Sequence, residues 1–396
     1  MKQLSIYRYE YNYAGIRGIG ITTDGELVLT KQNEPIPEFA SRTRIIRNEE
    51  VPDAFSAPIK LFLDPSTRCP LKCPFCLSDS GIINTKGIDG QEIERLSNQI
   101  IDFGILKVKI GGGEPFVYPY FYDLIKKFNS SGISVSTSTS GITLPNITQE
   151  NLNILRENRV KVSISLDGGE QYHDKTRCFP GLFKIATSSV KKLRENGIRT
   201  ELRSTIINTE ESYNQIFELD KISRDLGVPI RIRSVKPKGR AEISNLSTLF
   251  PDEKYWFFYD SVRKLRNDNP LINLEEVFCY DSSAHYSVFG QKLDCAAGTR
   301  SAYINWNGHF SPCGFIDSYF PSETLKGTDI KILWRNGCNF QKIRGYFKSE
   351  NQHSECSHCT HVNACQGGCP IVRLATKTAI DPRCPIQRKT YSKERS

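Results

Sequence analysis

The stretch Cys69-Pro70-Leu71-Lys72-Cys73-Pro74-Phe75-Cys76 follows an apolar run at Ile59 to Leu63 and places three thiols within eight residues. The CxxxCxxC spacing sets three sulfurs on one tight loop, where they can hold three irons of a four-iron cluster and leave the fourth without a protein ligand. Half of a zinc site, or a disulfide with one thiol left over, would use the same residues.

The neighbourhood of the loop favours the cluster. Phe75 stands directly before the last cysteine, and Gly111-Gly112-Gly113-Glu114-Pro115 closes the next strand-like run. With both motifs in this order, the chain resembles the radical S-adenosylmethionine (SAM) family. The resemblance implies a [4Fe-4S] cluster on Cys69, Cys73 and Cys76, with SAM chelating the open iron through its amino and carboxylate groups. Phe75 would lie near the adenine, and Gly112, Gly113, Glu114 and Pro115 would form the segment that touches the methionine amino group. Taken alone, the glycine run is an ordinary strand-to-helix turn, and it does not match the dinucleotide fingerprint.

From Ile59 to about Ala241, strand-like and helix-like segments alternate, the pattern of βα units on a parallel sheet. Six strands are expected: Ile59 to Leu63, Lys107 to Ile110, Ser134 to Thr139, Lys161 to Leu166, Thr200 to Ile207 and Ile230 to Val235. Helices are expected at about 91–103, 119–130, 149–158, 182–196 and 212–226. Six units are too few to close an eightfold barrel, so the fold class is α/β with a partial (βα)6 barrel, its chemistry at the carboxyl ends of the strands. There the third strand ends in Ser138-Thr139-Ser140-Gly141 and the fourth runs into Ser165-Leu166-Asp167-Gly168. In one reading such residues merely satisfy the local backbone of the turn. A ligand-holding role is favoured for Ser165 and Asp167 because His173-Asp174-Lys175-Thr176-Arg177 follows. That order resembles the peptide-modifying branch of the family, in which Arg177 would pair with the SAM carboxylate or orient the loop, a guanidinium gripping carboxylates bidentately.

Residues 1–58 read as a short β-rich lead-in with a hairpin turn at Thr23-Asp24-Gly25. It leaves no room for the roughly three helices of a leader-peptide recognition module, so a cap on the main sheet is expected. The barrel is assigned to 59–245, a helical bridge carrying an isolated Cys279 to 246–290, and a cysteine-rich domain to 291–396.

In that last domain Cys295, Gly308 and Cys313 precede Cys356, Cys359, Cys365 and Cys369 at CxxCxxxxxCxxxC spacing, with Cys384 beyond. CxxC pairs also build zinc sites. The pattern, with Trp334 and Gly367-Gly368, resembles the SPASM extension of radical SAM enzymes. The resemblance implies two auxiliary [4Fe-4S] clusters, one on Cys356, Cys359, Cys365 and Cys384, the other on Cys295, Cys313 and Cys369. The fourth position of the second is left to Cys279, water or substrate. Sulfatase maturases place an aspartate after the cysteine that corresponds to Cys313; Gly314 stands here, which argues against that activity. Surface or packing roles are expected for the six histidines.

Thirteen cysteines, ten of them in spaced groups, favour reduced thiolates on metal over disulfides, hence a cytoplasmic location. The opening residues lack an apolar h-region, and no stretch approaches 18 apolar residues, so neither signal peptide nor membrane span is expected. The charge of +9 is spread among mixed signs, and thiolate-bound clusters would lower it, so a nucleic-acid partner is not expected. The first expectation is a maturase that abstracts hydrogen from a residue of a ribosomally made peptide or protein, using a flavodoxin- or ferredoxin-type reductant. A small-molecule dehydrogenase and a non-catalytic iron–sulfur or zinc protein are the alternatives.

Overall fold

The computed structural model describes residues 3–275, 295–346, 356–359 and 365–385, apart from 14, 36–42, 84 and 318. Cys279, His285, His353 and His361 lie outside the described residues.

Strands β1 (Leu4–Tyr13), β2 (Ile16–Thr22), β3 (Leu27–Lys31) and β4 (Arg44–Arg47) form a small sheet in the order β3-β2-β1-β4, with β4 parallel to β1. The expected hairpin pairs Ile19 with Leu29 and Ile21 with Leu27, and Gly25 at φ +82° makes the turn. Ile6, Ile19 and Ile21 pack on Phe55, Ile59 and Leu106, next to the starts of the barrel strands. The turn itself meets the barrel: Arg199 Nη1 donates to the Asp24 carbonyl at 2.8 Å and Arg159 pairs with the Asp24 carboxylate at 3.1 Å. The lead-in thus covers the amino-terminal ends of the main strands.

The main sheet carries β5 (Lys60–Leu63), β6 (Lys107–Ile110), β7 (Ser134–Thr139), β8 (Lys161–Ser165), β9 (Thr200–Ile206) and β10 (Ile230–Ser234), all parallel and adjacent in chain order. Crossovers contain α1 (Gly90–Phe103), α2 (Phe121–Ser130), α3 (Gln149–Glu157), α4 (Glu170–Thr176), α5 (Leu182–Glu195) and α6 (Glu210–Leu226). Local chemistry sets their ends. Asp89 accepts the Glu92 N–H at the start of α1 and Gly104, at φ +80°, closes it, while Thr148 and Thr209 cap α3 and α6. Two-residue alternation along the strands sends Leu61, Val108, Ile164, Leu202 and Ile232 outward against these helices, and polar residues into the barrel.

Two features go beyond six units. After β10 the barrel range ends in α7 (Arg240–Ile243); the bridge supplies α8 (Glu253–Asp268) as a helix, but also β11 (Ile272–Leu274), which adds parallel to β10. At the opposite edge β12 (Ser301–Ile304) pairs in parallel with β5 and continues antiparallel into β13 (His309–Ser311) and β14 (Glu323–Thr324). The carboxy-terminal region is therefore an extension of the barrel sheet, anchored by Trp334, whose Nε1 donates to the Phe55 carbonyl at 2.9 Å.

Candidate functional site

The eight-residue loop follows β5 and is gripped from three sides. Cys69 N donates to the Gly81 carbonyl at 3.0 Å, and Gly113 N and Glu114 N donate to the Ser66 and Arg68 carbonyls, each at 2.8 Å. A Cβ on Gly113 would stand 2.1 Å from the Arg68 carbonyl oxygen, and one on Gly112 2.5 Å from that of Ser66. The glycines are thus required by close approach to the chain that leads into the cysteines. From the third side Arg240 Nε donates to the Cys73 carbonyl at 2.7 Å, and Arg240 N to that of Cys76 at 3.1 Å.

Cys69, Cys73, Phe75 and Cys76 share one apolar cluster with Leu71, Leu182, Ile207, Val235 and Ala241. Leu71 N–H points at the Cys69 sulfur and Ser80 N–H at the Cys76 sulfur, both at 3.4 Å. Burial pushes the Cys69 thiol up to about 12 and the Cys73 thiol up to about 11, the latter restrained by the Arg177 charge. Metal binding must therefore displace protons from these groups, as it does at thiolate sites in general.

Asp167, fully buried, accepts Arg177 Nε at 2.6 Å and Nη2 at 3.2 Å, and Thr205 N–H at 2.9 Å. Arg177 lies over the Phe75 ring at 5.4 Å. Burial opposes its charge, but Asp167 and the Cys73 sulfur hold the guanidinium protonated beyond the ordinary arginine range. His173 accepts the Asp167 N–H through Nδ1 at 3.1 Å, and burial lowers it to about 4, so it stays neutral. Asp174 accepts Gly181 N–H at 2.5 Å and Phe183 N–H at 2.8 Å, opening α5. Asp167 thus reaches the cysteine loop through Arg177; Ser165 is half-buried on β8. Glu114, also buried, accepts Thr139 Oγ1 at 2.6 Å and Ser140 Oγ at 2.7 Å, so the hydroxyls at the end of β7 serve the glycine motif, and Pro115 opens a single 3-10 turn behind it.

In the carboxy-terminal region Cys295, Cys313 and Cys369 converge on one apolar cluster with Ala297, Ile316, Ile343 and Val372. Cys356, Cys359, Cys365 and Cys384 are half-buried on two short segments. Asp381 and Arg383, both fully buried, form a bidentate pair at 3.0 and 2.9 Å, and Asp381 also accepts the Cys369 N–H at 3.1 Å. The two regions meet at Lys238, whose ammonium donates to the Gly314 carbonyl and, at 2.9 Å, to Asp317. A Cβ on Gly314 would stand 3.2 Å from the Tyr303 ring, whose hydroxyl donates to Asp64 at 2.9 Å.

Comparison with known proteins agrees with this geometry. Residues 63–219 match the model of the radical SAM superfamily, and residues 295–360 match that of SPASM, an iron–sulfur cluster-binding domain. The chain is a radical SAM enzyme with a SPASM domain. It is 26% identical to mycofactocin maturase MftC of Mycolicibacterium smegmatis over 89% of this chain and 86% of that protein. It is 24% identical to the AdoMet-dependent heme synthase of Oleidesulfovibrio alaskensis over 81% and 85% of the respective chains. Among solved structures, Streptococcus suis SuiB bound to its precursor peptide SuiA superposes with a TM-score of 0.70 at 16% identity, covering 98% of this chain and 99% of that one, a likeness of fold.

A radical SAM domain binds SAM and a [4Fe-4S] cluster, and a SPASM domain binds auxiliary iron–sulfur clusters. The residues here fit both. The eight-residue cysteine loop offers three thiols in an apolar setting with N–H donors on two sulfurs, and the SPASM domain brings three of its cysteines together. No helix among the described residues is long and apolar enough to cross a membrane. Of the histidines described, His173 is buried in a positioning role, His309 contacts Asn307 at 3.2 Å, and His358 is exposed. Sequence reading assigned no site role to Lys238, Arg240, Asp381 or Arg383. Lys238 and Arg240 stand in the turn Lys236-Pro237-Lys238-Gly239-Arg240, which resembles the end of the family's core domain, and Asp381 and Arg383 in an Asp-Pro-Arg-Cys run directly before a candidate ligand.

Proposed function

We propose that this radical SAM/SPASM enzyme is a peptide maturase that abstracts hydrogen from a residue of a ribosomally made peptide or protein and leaves an oxidised or crosslinked product. When bound, SAM and the cluster on Cys69, Cys73 and Cys76 supply a 5′-deoxyadenosyl radical. The chain's own part is positional. Arg177, fixed by Asp167 and His173, holds a positive charge over Phe75, and would pair with the SAM carboxylate or orient the loop; Gly112, Gly113, Glu114 and Pro115 would form the segment that meets the methionine amino group. Cys356, Cys359, Cys365 and Cys384 would hold one auxiliary cluster, and Cys295, Cys313 and Cys369 the other.

The observation that carries the reading is the Lys238 bridge, which ties the end of the barrel to the Cys313 loop. An electron acceptor held there suits oxidation of a substrate placed in the barrel, without oxygen. A peptide substrate is supported by kinship with a mycofactocin maturase along most of the chain. The heme synthase relatives favour a second reading, a small-molecule substrate.

The deciding measurement is 5′-deoxyadenosine formed anaerobically by the reconstituted protein with SAM and dithionite, with large and small fractions of host extract added separately. Stimulation by the large fraction alone, abolished by protease, is expected. Stimulation by the small fraction alone would transfer the assignment to the second reading.

A further inference from the structure

Barrels usually fill their interiors with apolar side chains; this one is lined with charge. Lys60 on β5, Lys109 on β6, Arg203 on β9, and Arg231 and Arg233 on β10 occupy inward-facing positions of the alternation. Among the described residues Glu201, Glu275 and Asp64 stand near these cations; Asp64 accepts the Tyr303 hydroxyl, and Glu201 and Glu275 are already shared. Arg231 reaches Glu201 at 2.8 Å and Glu275 at 3.0 Å, Arg203 reaches Glu275 at 3.1 Å, and Lys161 also pairs with Glu201. Among the described residues Lys109 has no hydrogen bond or ion pair, Lys60 meets only the Phe62 ring, at 4.4 Å, and the buried Ser138 hydroxyl has no hydrogen-bond partner.

Unpaired cations in a confined interior are costly unless an anion joins them. The protein responds accordingly: burial, reinforced by the Arg203 charge, depresses Lys60 to about 7 and carries Lys109 well below its ordinary value. The position of the cluster says where an anion would enter. The lead-in sheet covers the amino-terminal ends of the strands. At the other end, Lys109 and Arg233 act on Asp64. The Asp64 carboxylate lies 2.6 Å from where a Gly111 Cβ would be, at the base of the glycine motif. The charged interior therefore lies directly beneath the SAM-site loops.

We propose that the barrel interior is a carboxylate-binding site, in which Lys60 and Lys109 receive an acidic side chain or the terminal carboxylate of the substrate polypeptide and so select which residue is presented to the radical. The polypeptide part rests on the maturase reading above; the carboxylate part does not.

The test uses SAM-loaded, reconstituted holoenzyme, immobilised anaerobically and offered short synthetic peptide pools. The pools are randomised except for a central Glu or Gln, and carry a free or an amidated carboxyl terminus; glutarate serves as the small-molecule probe. Retention of carboxylate-bearing pools about tenfold above the fully amidated Gln pool is expected, the order of a charge-assisted contact. Lys109→Met and Lys60→Met should each remove most of that preference while iron content and melting temperature hold, and the exposed Lys126→Met should keep it. The pool that is retained tells side-chain from terminal recognition. Equal retention of all pools would overturn the carboxylate site and leave the peptide reading standing. Retention of glutarate with no peptide held would keep the site and remove the peptide reading.

Discussion

Each half of the molecule buries one aspartate–arginine pair beside its cysteines, and the two pairs face opposite ways. In the barrel the arginine is turned to the cysteine loop: Arg177 lies over Phe75 while Asp167 is held behind it by Thr205 and His173. In the SPASM domain the aspartate is turned to the cysteines, Asp381 accepting the Cys369 N–H with Arg383 behind it. The first arrangement exposes a fixed positive charge to whatever occupies the site. The second spends its charge on the backbone. One pair thus leaves its charge beside the cysteine loop and the other sets the path of the chain.

Disabling the Cys69–Cys76 loop directly gives the largest contrast between the halves. Cys73→Ala should abolish 5′-deoxyadenosine formation, read by chromatography, while iron analysis still finds the SPASM complement. Next come the pairs themselves, since removing one partner of a buried ion pair leaves a stranded charge and costs about 3 to 5 kcal/mol. Asp381→Asn should destabilise the protein by that order in denaturant and lower the auxiliary iron, yet leave SAM binding measurable. Asp167→Asn should cost a similar amount but weaken SAM binding, by equilibrium dialysis, with auxiliary iron retained. Should both variants lose the same iron, the division of roles would be wrong.

A smaller effect is expected from Gly113→Ala. The new methyl group collides with the Arg68 carbonyl, so roughly 2 to 3 kcal/mol of stability should be lost through strain, with slower cluster reconstitution. The smallest is a pH effect. His173 is held neutral, its value depressed from 6.5 to about 4. The unfolded chain therefore binds the extra proton first, and stability falls as pH drops from 6.5 toward 4, by about 2 kcal/mol at pH 5. In His173→Asn, which keeps an acceptor for the Asp167 N–H, that part of the slope should vanish from denaturant titrations.

Much of this was legible in the residues. Period-two runs bounded by turns located the six strands to within two residues, because half-buried parallel strands leave no other pattern. Cysteine spacing located the loops, because a cluster needs its thiols close in space and short spacings achieve this locally. What escaped were contacts between distant segments. Nothing in Ser301 to Ile304 announces that it pairs with β5, since an apolar four-residue run fits any free edge. Nor does Arg240 look different from other basic residues until the chain folds it over Cys73 and Cys76. Thr139 and Ser140 illustrate the reverse problem: polar residues at a strand end suggest a ligand, and their partner is Glu114.

The pairing of β12 with β5 bears on how the chain is made. Its far end brings Tyr303 to Asp64, 239 positions earlier. At 5 to 20 residues per second, roughly 10 to 50 s of synthesis separate the emergence of the two strands. Throughout that interval one edge of β5 has no neighbour, although β6 is already available for the other. A nascent barrel with an open strand edge invites pairing with other chains, so yield during expression should depend on how quickly the ribosome delivers the final quarter of the protein.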